Sequence, residues 1–448
     1  MMSDALPAQI GLLDAMGGGN LGDAAIQDSV IANIRARAPQ ARIVGFSFVP
    51  DDTTNRHGIP CYPITRQSGS DARPTRHGQS PTSTEFRLKS ALKRVRILRA
   101  LGRPLVDAAR EGLFLARTYR TLRRLDLLIM SGGGQLCELW GGPWAHLYNL
   151  FKFSILARLA GTPLYFLNVG AEPLKQRLSR CFAKTSVRLA DYVSLRDEYS
   201  QSLVRSLGVK STISVHPDPV YALEVTSYLN GRSRDSSPPT VGINPMGYCD
   251  PRIWPRKEQA VYDAYLDKMT RFSQWLLQQG YRLKIFTTSA AVDKYAVADL
   301  TRRLRAPQTC NAAPAQATSP AGPGVNEILC GSVKEVLSEM AGCDFIVTSR
   351  YHGVIFSHLL RKPVIALSYQ GKTDVAMQPV GLGDFSASIE HFEADWLIES
   401  FARLVRSRES IKSQQAKAVA AHAVALSRQF DELFLSSDTR TNHIRANA

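Results

Sequence analysis

Short apolar runs ending in Gly or Asp alternate along this chain with longer stretches of helical period, the pattern of β-α units feeding a parallel sheet. In the first half the pattern predicts strands over 10–15, 43–49, 125–130, 164–169 and 191–195, with helices near 23–37, 144–159, 175–190 and 200–207. After His216-Pro217-Asp218-Pro219 and a polar stretch at 230–239, it restarts with strands over 240–244, 282–287, 345–348 and 363–367. The reading is α/β, with one doubly wound domain over 1–228, a second over 240–390, and helices with a disordered tail over 391–448.

Three segments break the alternation. Residues 67–84 and 306–324 are rich in Pro, Gly and small residues and read as mobile loops. Residues 86–124 carry twelve Lys and Arg against two acids, with Leu88, Leu92, Val95, Leu98 and Leu101 at helical spacing. This basic helical insertion fits either a helix packed on the domain with a solvated face or an interfacial helix on acidic lipid.

Charge and composition narrow the class. The 448 residues hold 55 Lys and Arg against 39 Asp and Glu, a net charge of +16 that suits contact with anions. No apolar run reaches the eighteen residues of a membrane span. Seven Cys at 61, 137, 181, 249, 310, 330 and 343 form no CxxC pair and no zinc-ligand spacing, so the reading is metal-independent and reducing. The start lacks the features of a signal peptide, which predicts a cytoplasmic protein. Nucleic-acid binding is disfavoured, because few aromatics interleave with the bases of 86–124.

The candidate chemistry lies in loops after strands. Gly17, Gly19 and Gly22 formally satisfy GxGxxG, but Asp23 opens the helix where a pyrophosphate needs bare N–H groups, and Asp51-Asp52 comes too late for a ribose. Asn20 and Asp23 are read either as helix caps or as ligand-facing groups at the sheet edge. In Ser131-Gly132-Gly133-Gly134, successive glycines let backbone pass close to a ligand or to the first loop. Neither loop is a Walker A. Arg196, in Ser194-Leu195-Arg196-Asp197, follows a strand, as do Arg350 and His352 in Ser349-Arg350-Tyr351-His352-Gly353. Arg offers a fork for carboxylate or phosphate, and His passes protons near neutral pH. The bland alternatives are an Arg196–Asp197 salt bridge and a structural His352. Two cationic edges facing across an interdomain cleft would suit a small polyanionic substrate.

In these motifs, together with Asn20-Leu21-Gly22-Asp23, Asp218-Pro219 and Ser368-Tyr369-Gln370-Gly371-Lys372, the chain resembles the polysaccharide pyruvyl transferase family from about 10 to 385. The resemblance implies two Rossmann-like domains with parallel sheets facing across a cleft, a glycosyltransferase-B-like arrangement. It implies transfer of pyruvate from phosphoenolpyruvate onto two sugar hydroxyls as a cyclic ketal, in extracellular or capsular polysaccharide biosynthesis. On that basis Arg196, Arg350 and His352 would hold the donor and Lys372 would stand at the leaving phosphate. His352 would be the acid, Asp23 the base with Asp218 second, and Asn20, Gly22, Gly133 and Gly134 would form the acceptor loops. The expected co-substrate is phosphoenolpyruvate, with no cofactor or metal. A lipid-linked sugar acceptor would give the basic helix a reason for peripheral contact with an acidic membrane. Glu172 departs from the expected weakly charged loop. The competing reading is a nucleotide-sugar glycosyltransferase of the same architecture.

Overall fold

The computed structural model describes residues 7–13, 17, 19–66, 108–139, 141–229, 238–306, 324–369 and 371–435. Two all-parallel sheets organise them. The first has strands β1 (Gln9–Leu13), β2 (Arg42–Ser47), β3 (Cys61–Pro63), β4 (Leu127–Ser131), β5 (Leu164–Val169), β6 (Tyr192–Leu195) and β7 (Ser214–Val215), in the order 3-2-1-4-5-6-7. The second has β8 (Thr240–Asn244), β9 (Arg282–Phe286), β10 (Val325–Ile328), β11 (Phe345–Thr348), β12 (Val364–Ser368) and β13 (Ser386–Ser388), in the order 10-9-8-11-12-13. Each sheet reverses its order once, between β1 and β4 and between β8 and β11, and open α/β sheets bind ligands beyond the carboxyl ends at such points.

The central strands are buried on both faces, which is why they read as continuous apolar runs rather than alternations. Helix Leu21–Arg37 is buried on most sides for a related reason. It packs on the first sheet and also meets the 219–222 turn and the long helix Arg408–Phe434. That long helix returns to the first domain, where Arg37 pairs with Asp431 at 2.7 Å and its guanidinium lies 5.6 Å from the Phe430 ring. Deeper in the same contact, Gln429 exchanges hydrogen bonds with Asn168, which stands in left-handed backbone (φ 52°) at the irregular end of β5.

Boundaries differ from expectation where local geometry intervenes. The helix expected over 144–159 becomes regular at Tyr148, because Ala145 takes a non-helical ψ of −117°. The helix expected at 200–207 starts at Glu198, where the Asp197 carboxylate accepts from the Ser200 N–H at 2.6 Å. Of the basic insertion, only 108–122 is described as helix, and there Lys152 lies 4.9 Å from the Phe114 ring and donates to the Ile64 carbonyl. The apolar positions Leu88 to Leu101, the loop 67–84 and nearly all of 306–324 lie outside the described residues. No described helix is long and apolar enough to cross a membrane.

Candidate active site between the two sheets

The site is built at both switch points. After β1 the chain reaches Asn20, which caps helix Leu21–Arg37 by accepting from Gly22 N–H at 3.2 Å and donates to Asp23 at 2.8 Å. Asn20 also bridges to Ser289, and Leu21 N–H donates to the Thr288 carbonyl at 2.9 Å, so the first loop of one domain is pinned to the loop after β9 of the other. The capping role and the cleft position therefore coexist at Asn20. Beside it, Gly132 and Gly133 adopt φ of 44° and 68°, a region open chiefly to glycine. A Cβ on Gly132 would stand 2.6 Å from Ile26, and one on Gly133 would be 3.3 Å from Asp23, so this loop lies directly against the helix. Gly134 faces Glu172.

Across the cleft, β11 delivers Arg350 and His352 at the start of helix Tyr351–Leu359. The His352 ring rests on Gly22, where a Cβ would come within 2.0 Å of Nδ1. Its Nε2 lies 3.7 Å from Oδ2 of buried Asp218, and Arg196 Nη1 lies 3.9 Å from the same oxygen. Among the described residues, neither His352 Nε2 nor Asp218 Oδ2 has a hydrogen-bond partner. Burial alone would push Asp218 up, but His352, Arg196 and the Val220 N–H together hold it below the usual carboxylate range, so it is ionised. Arg196 is buried, its guanidinium 4.1 Å from the Tyr351 ring and 3.3 Å from Asp197. The Asp197 contact anticipated from the sequence is thus present together with one to Asp218.

The remaining cations are also matched. Arg350 gives Nε and Nη2 to the fully buried Asp293 at 2.8 and 2.5 Å, leaving Nη1 without a protein partner among the described residues. Lys372 meets Glu172 at 2.8 Å across the cleft, and its ammonium lies 4.6 Å from the Tyr369 ring. Burial opposes the charge on Lys372, yet Tyr369 and Glu172 outweigh it and raise its pKa. Burial likewise opposes charge on Glu172, but Lys372, the Cys137 thiol and Arg196 hold it below its ordinary value. The same environment pushes Cys137 up to about 12, by burial first and Glu172 second, so its thiol is a donor rather than a nucleophile.

His352, Asp218, Arg196, Asn20, Asp23, Gly22 and Gly133 therefore converge, with Lys372 and Gly134 at the Glu172 wall and Arg350 turned toward the second sheet. Asp293, Tyr351 and Asn244 were not singled out in the sequence. Asn244 ends β8 and accepts from Thr348 at 2.9 Å, fixing the turn that leads to Arg350. Among the described residues, no three His, Cys, Asp or Glu side chains converge as a metal site would require.

Comparison with known proteins bears on this arrangement. A family model described as polysaccharide pyruvyl transferase matches residues 20–371. The amylovoran biosynthesis protein AmsJ of Erwinia amylovora is 20% identical over 317 residues, covering 68% of this chain and 72% of that protein. Among solved structures, UDP-GlcNAc 2-epimerase from Neisseria meningitidis, bound to UDP-GlcNAc, superposes with a TM-score of 0.55 at 11% identity, over 95% of this chain and 98% of its own. MnaA of S. aureus with UDP gives 0.53 at 9% identity, over 98% and 96%. At these identities the likeness is one of fold, two Rossmann-like domains in the glycosyltransferase-B-like arrangement.

Proposed function

The chain belongs to the polysaccharide pyruvyl transferase family, and on that premise we propose that it moves pyruvate from phosphoenolpyruvate onto two hydroxyls of a sugar as a cyclic ketal, in surface-polysaccharide biosynthesis. The observation that carries this reading is the meeting of His352 Nε2, Asp218 Oδ2 and Arg196 at the switch points of both sheets, with two buried polar atoms lacking hydrogen-bond partners among the described residues.

In this reading the donor anion lies by Arg196, Lys372 and the free edge of Arg350. The start of helix Tyr351–Leu359 has no acid in its first turn and adds its dipole. Protonated His352, held beside ionised Asp218, delivers its proton to the methylene carbon of the enol and leaves an oxocarbenium-like centre at C2. A sugar hydroxyl attacks C2 and gives up its proton toward Asp23. The C2–O bond to phosphate then breaks with its electron pair, and the second hydroxyl closes the ketal. Two hydroxyl protons are released, one balancing the proton placed on carbon and one leaving on phosphate.

Asp218 serves here as the partner of His352 rather than as the base, because it is buried behind that ring. The test is turnover in heavy water with phosphoenolpyruvate and a panel of glycans, read by NMR of the product and by phosphate release. The reading expects a ketal methyl carrying one deuterium, phosphate equimolar with product, and turnover of His352→Gln lowered by about a thousandfold. Transfer of an intact enolpyruvyl group, or turnover undiminished in His352→Gln, would contradict it.

A further inference from the structure

One helix of the first domain has a face that the cleft chemistry does not use. In Arg177–Arg188, the residues Ser179, Phe182, Ala183, Ser186 and Val187 are buried. On the opposite side Arg177, Arg180, Lys184 and Arg188 fall three, four and four residues apart, one stripe spanning roughly 16 Å at the helical rise. Arg177, Arg180 and Arg188 are exposed, and among the described residues none of the four pairs with a carboxylate. This contrasts with the cleft, where every cation has an acid beside it.

The stripe is flanked by apolar surface on both sides. On one, Trp144 is 66% exposed, with its ring 5.7 Å from Phe182, and Phe151 stacks on the same Phe182 at 4.7 Å. On the other, a cavity of about 250 Å³ opens between this helix and Glu198–Ser206, lined by Leu136, Leu174, Leu203, Leu207 and Arg180. Glu172, the partner of Lys372, also lines that cavity, so the cationic face stands one side chain from the cleft.

Unpaired cations over an apolar body, with an exposed indole at the margin, match the border between headgroups and acyl chains. The cations meet lipid phosphate, and the amphipathic ring takes the boundary. We propose that the face carried by helix Arg177–Arg188 docks on an anionic bilayer, seats Trp144 at the headgroup boundary and presents the cleft edge at Glu172 to a membrane-anchored acceptor. The docking itself does not depend on the pyruvyl reading, and its test needs no donor.

The full chain is mixed with vesicles of phosphatidylcholine alone or with phosphatidylglycerol, and binding is followed by co-sedimentation and tryptophan fluorescence. Binding only to the mixed vesicles is expected, with a blue shift of the emission. Joint Arg177→Gln, Arg180→Gln and Arg188→Gln should weaken partition about a hundredfold, roughly a factor of five per cation, with the lysine triple retaining it. Trp144→Ser should lose the shift while keeping its melting temperature. The proposal is overturned if the chain ignores the mixed vesicles, if the glutamine triple sediments like the wild type, or if the shift survives in Trp144→Ser. It is also overturned if duplex DNA displaces the vesicles and binds the Trp144→Ser variant as tightly as the wild type, which would mark a general polyanion surface.

Discussion

Gly22 carries a sharp constraint for a single residue. It lies in the first turn of a helix, where alanine ordinarily stabilises by up to about 1 kcal/mol, yet its Cβ would come within 2.0 Å of the His352 ring. Gly22→Ala must therefore displace His352 or the loop that carries it. Turnover should fall at least about a hundredfold, the scale of a 1 Å misplacement of a catalytic group, and the melting temperature should fall rather than rise. An unchanged turnover with a raised melting temperature would show that the ring does not sit on this glycine. Asp218 makes a second prediction, on pH. Its folded-state pKa is depressed, so the stability it contributes is present above the ordinary carboxylate range and is lost as pH falls through the depressed value. Asp218→Asn should be less stable than the wild type at pH 7, and the gap should close below about pH 4. A gap that stays constant across an acid series of melts would contradict the assignment.

At the level of elements, the turn at 219–222 and helix Tyr351–Leu359 are joined by a buried strut, Tyr221 hydroxyl to His358 Nδ1 at 2.8 Å. Burial, with His422 nearby, drops the His358 pKa to about 3, so the ring is neutral in the folded protein. Since the unfolded chain takes up a proton near pH 6.5, stability should erode as pH falls from there toward 3. His358→Gln, which keeps an acceptor for Tyr221 but cannot titrate, should show a shallower decline of melting temperature over that window, and parallel curves would refute the strut.

The same scale shows what could be read from the sequence. The central strands were legible because burial on both faces forces continuous apolar runs. The strands that periodicity did not give, Cys61–Pro63, Ser214–Val215, Val325–Ile328 and Ser386–Ser388, are the four edges of the two sheets. They are two to four residues long, and Val-Asn-Glu-Ile and Ser-Ala-Ser carry no run to detect. In the site, loop positions after strands marked Asn20, Arg196, Arg350 and His352. Asp197 was legible as a partner of Arg196, but the counter-ions of Arg350 and Lys372 were not, because Asp293 stands 57 positions from Arg350 and Glu172 stands 200 from Lys372. The cleft inferred as cationic is in fact charge-matched, and such pairings come only from the packing of one domain on the other.

For the whole molecule, two links tie the halves together and each has a measurable consequence. Gln429, on the C-terminal helix, bonds Asn168, Ser194 and the Tyr192 hydroxyl in a buried network of the first domain. Gln429→Ala strips one partner from each of those groups and should cost about 1–3 kcal/mol in denaturant unfolding, whereas a loss near zero would mean that the helix does not seal the domain. Across the cleft, Glu172 occupies Lys372. Glu172→Gln removes an anion from the donor's path and should tighten phosphoenolpyruvate binding on the order of tenfold, the worth of about one charge-assisted hydrogen bond. Weaker binding in that variant would show that Glu172 positions Lys372 for the donor instead of competing with it.

The donor site we propose lies at the junction of the two sheets, with phosphoenolpyruvate between Arg196 and Lys372 beside His352. Calorimetric titration of the full chain with phosphoenolpyruvate tests it most directly, with Arg196→Gln and Lys372→Ala alongside and uridine diphosphate and NAD as controls. Binding selective for phosphoenolpyruvate, weakened about tenfold to a hundredfold in each variant while His352→Gln still binds, is the predicted result. Heat with uridine diphosphate but none with phosphoenolpyruvate, or phosphoenolpyruvate affinity untouched by both substitutions, would contradict it.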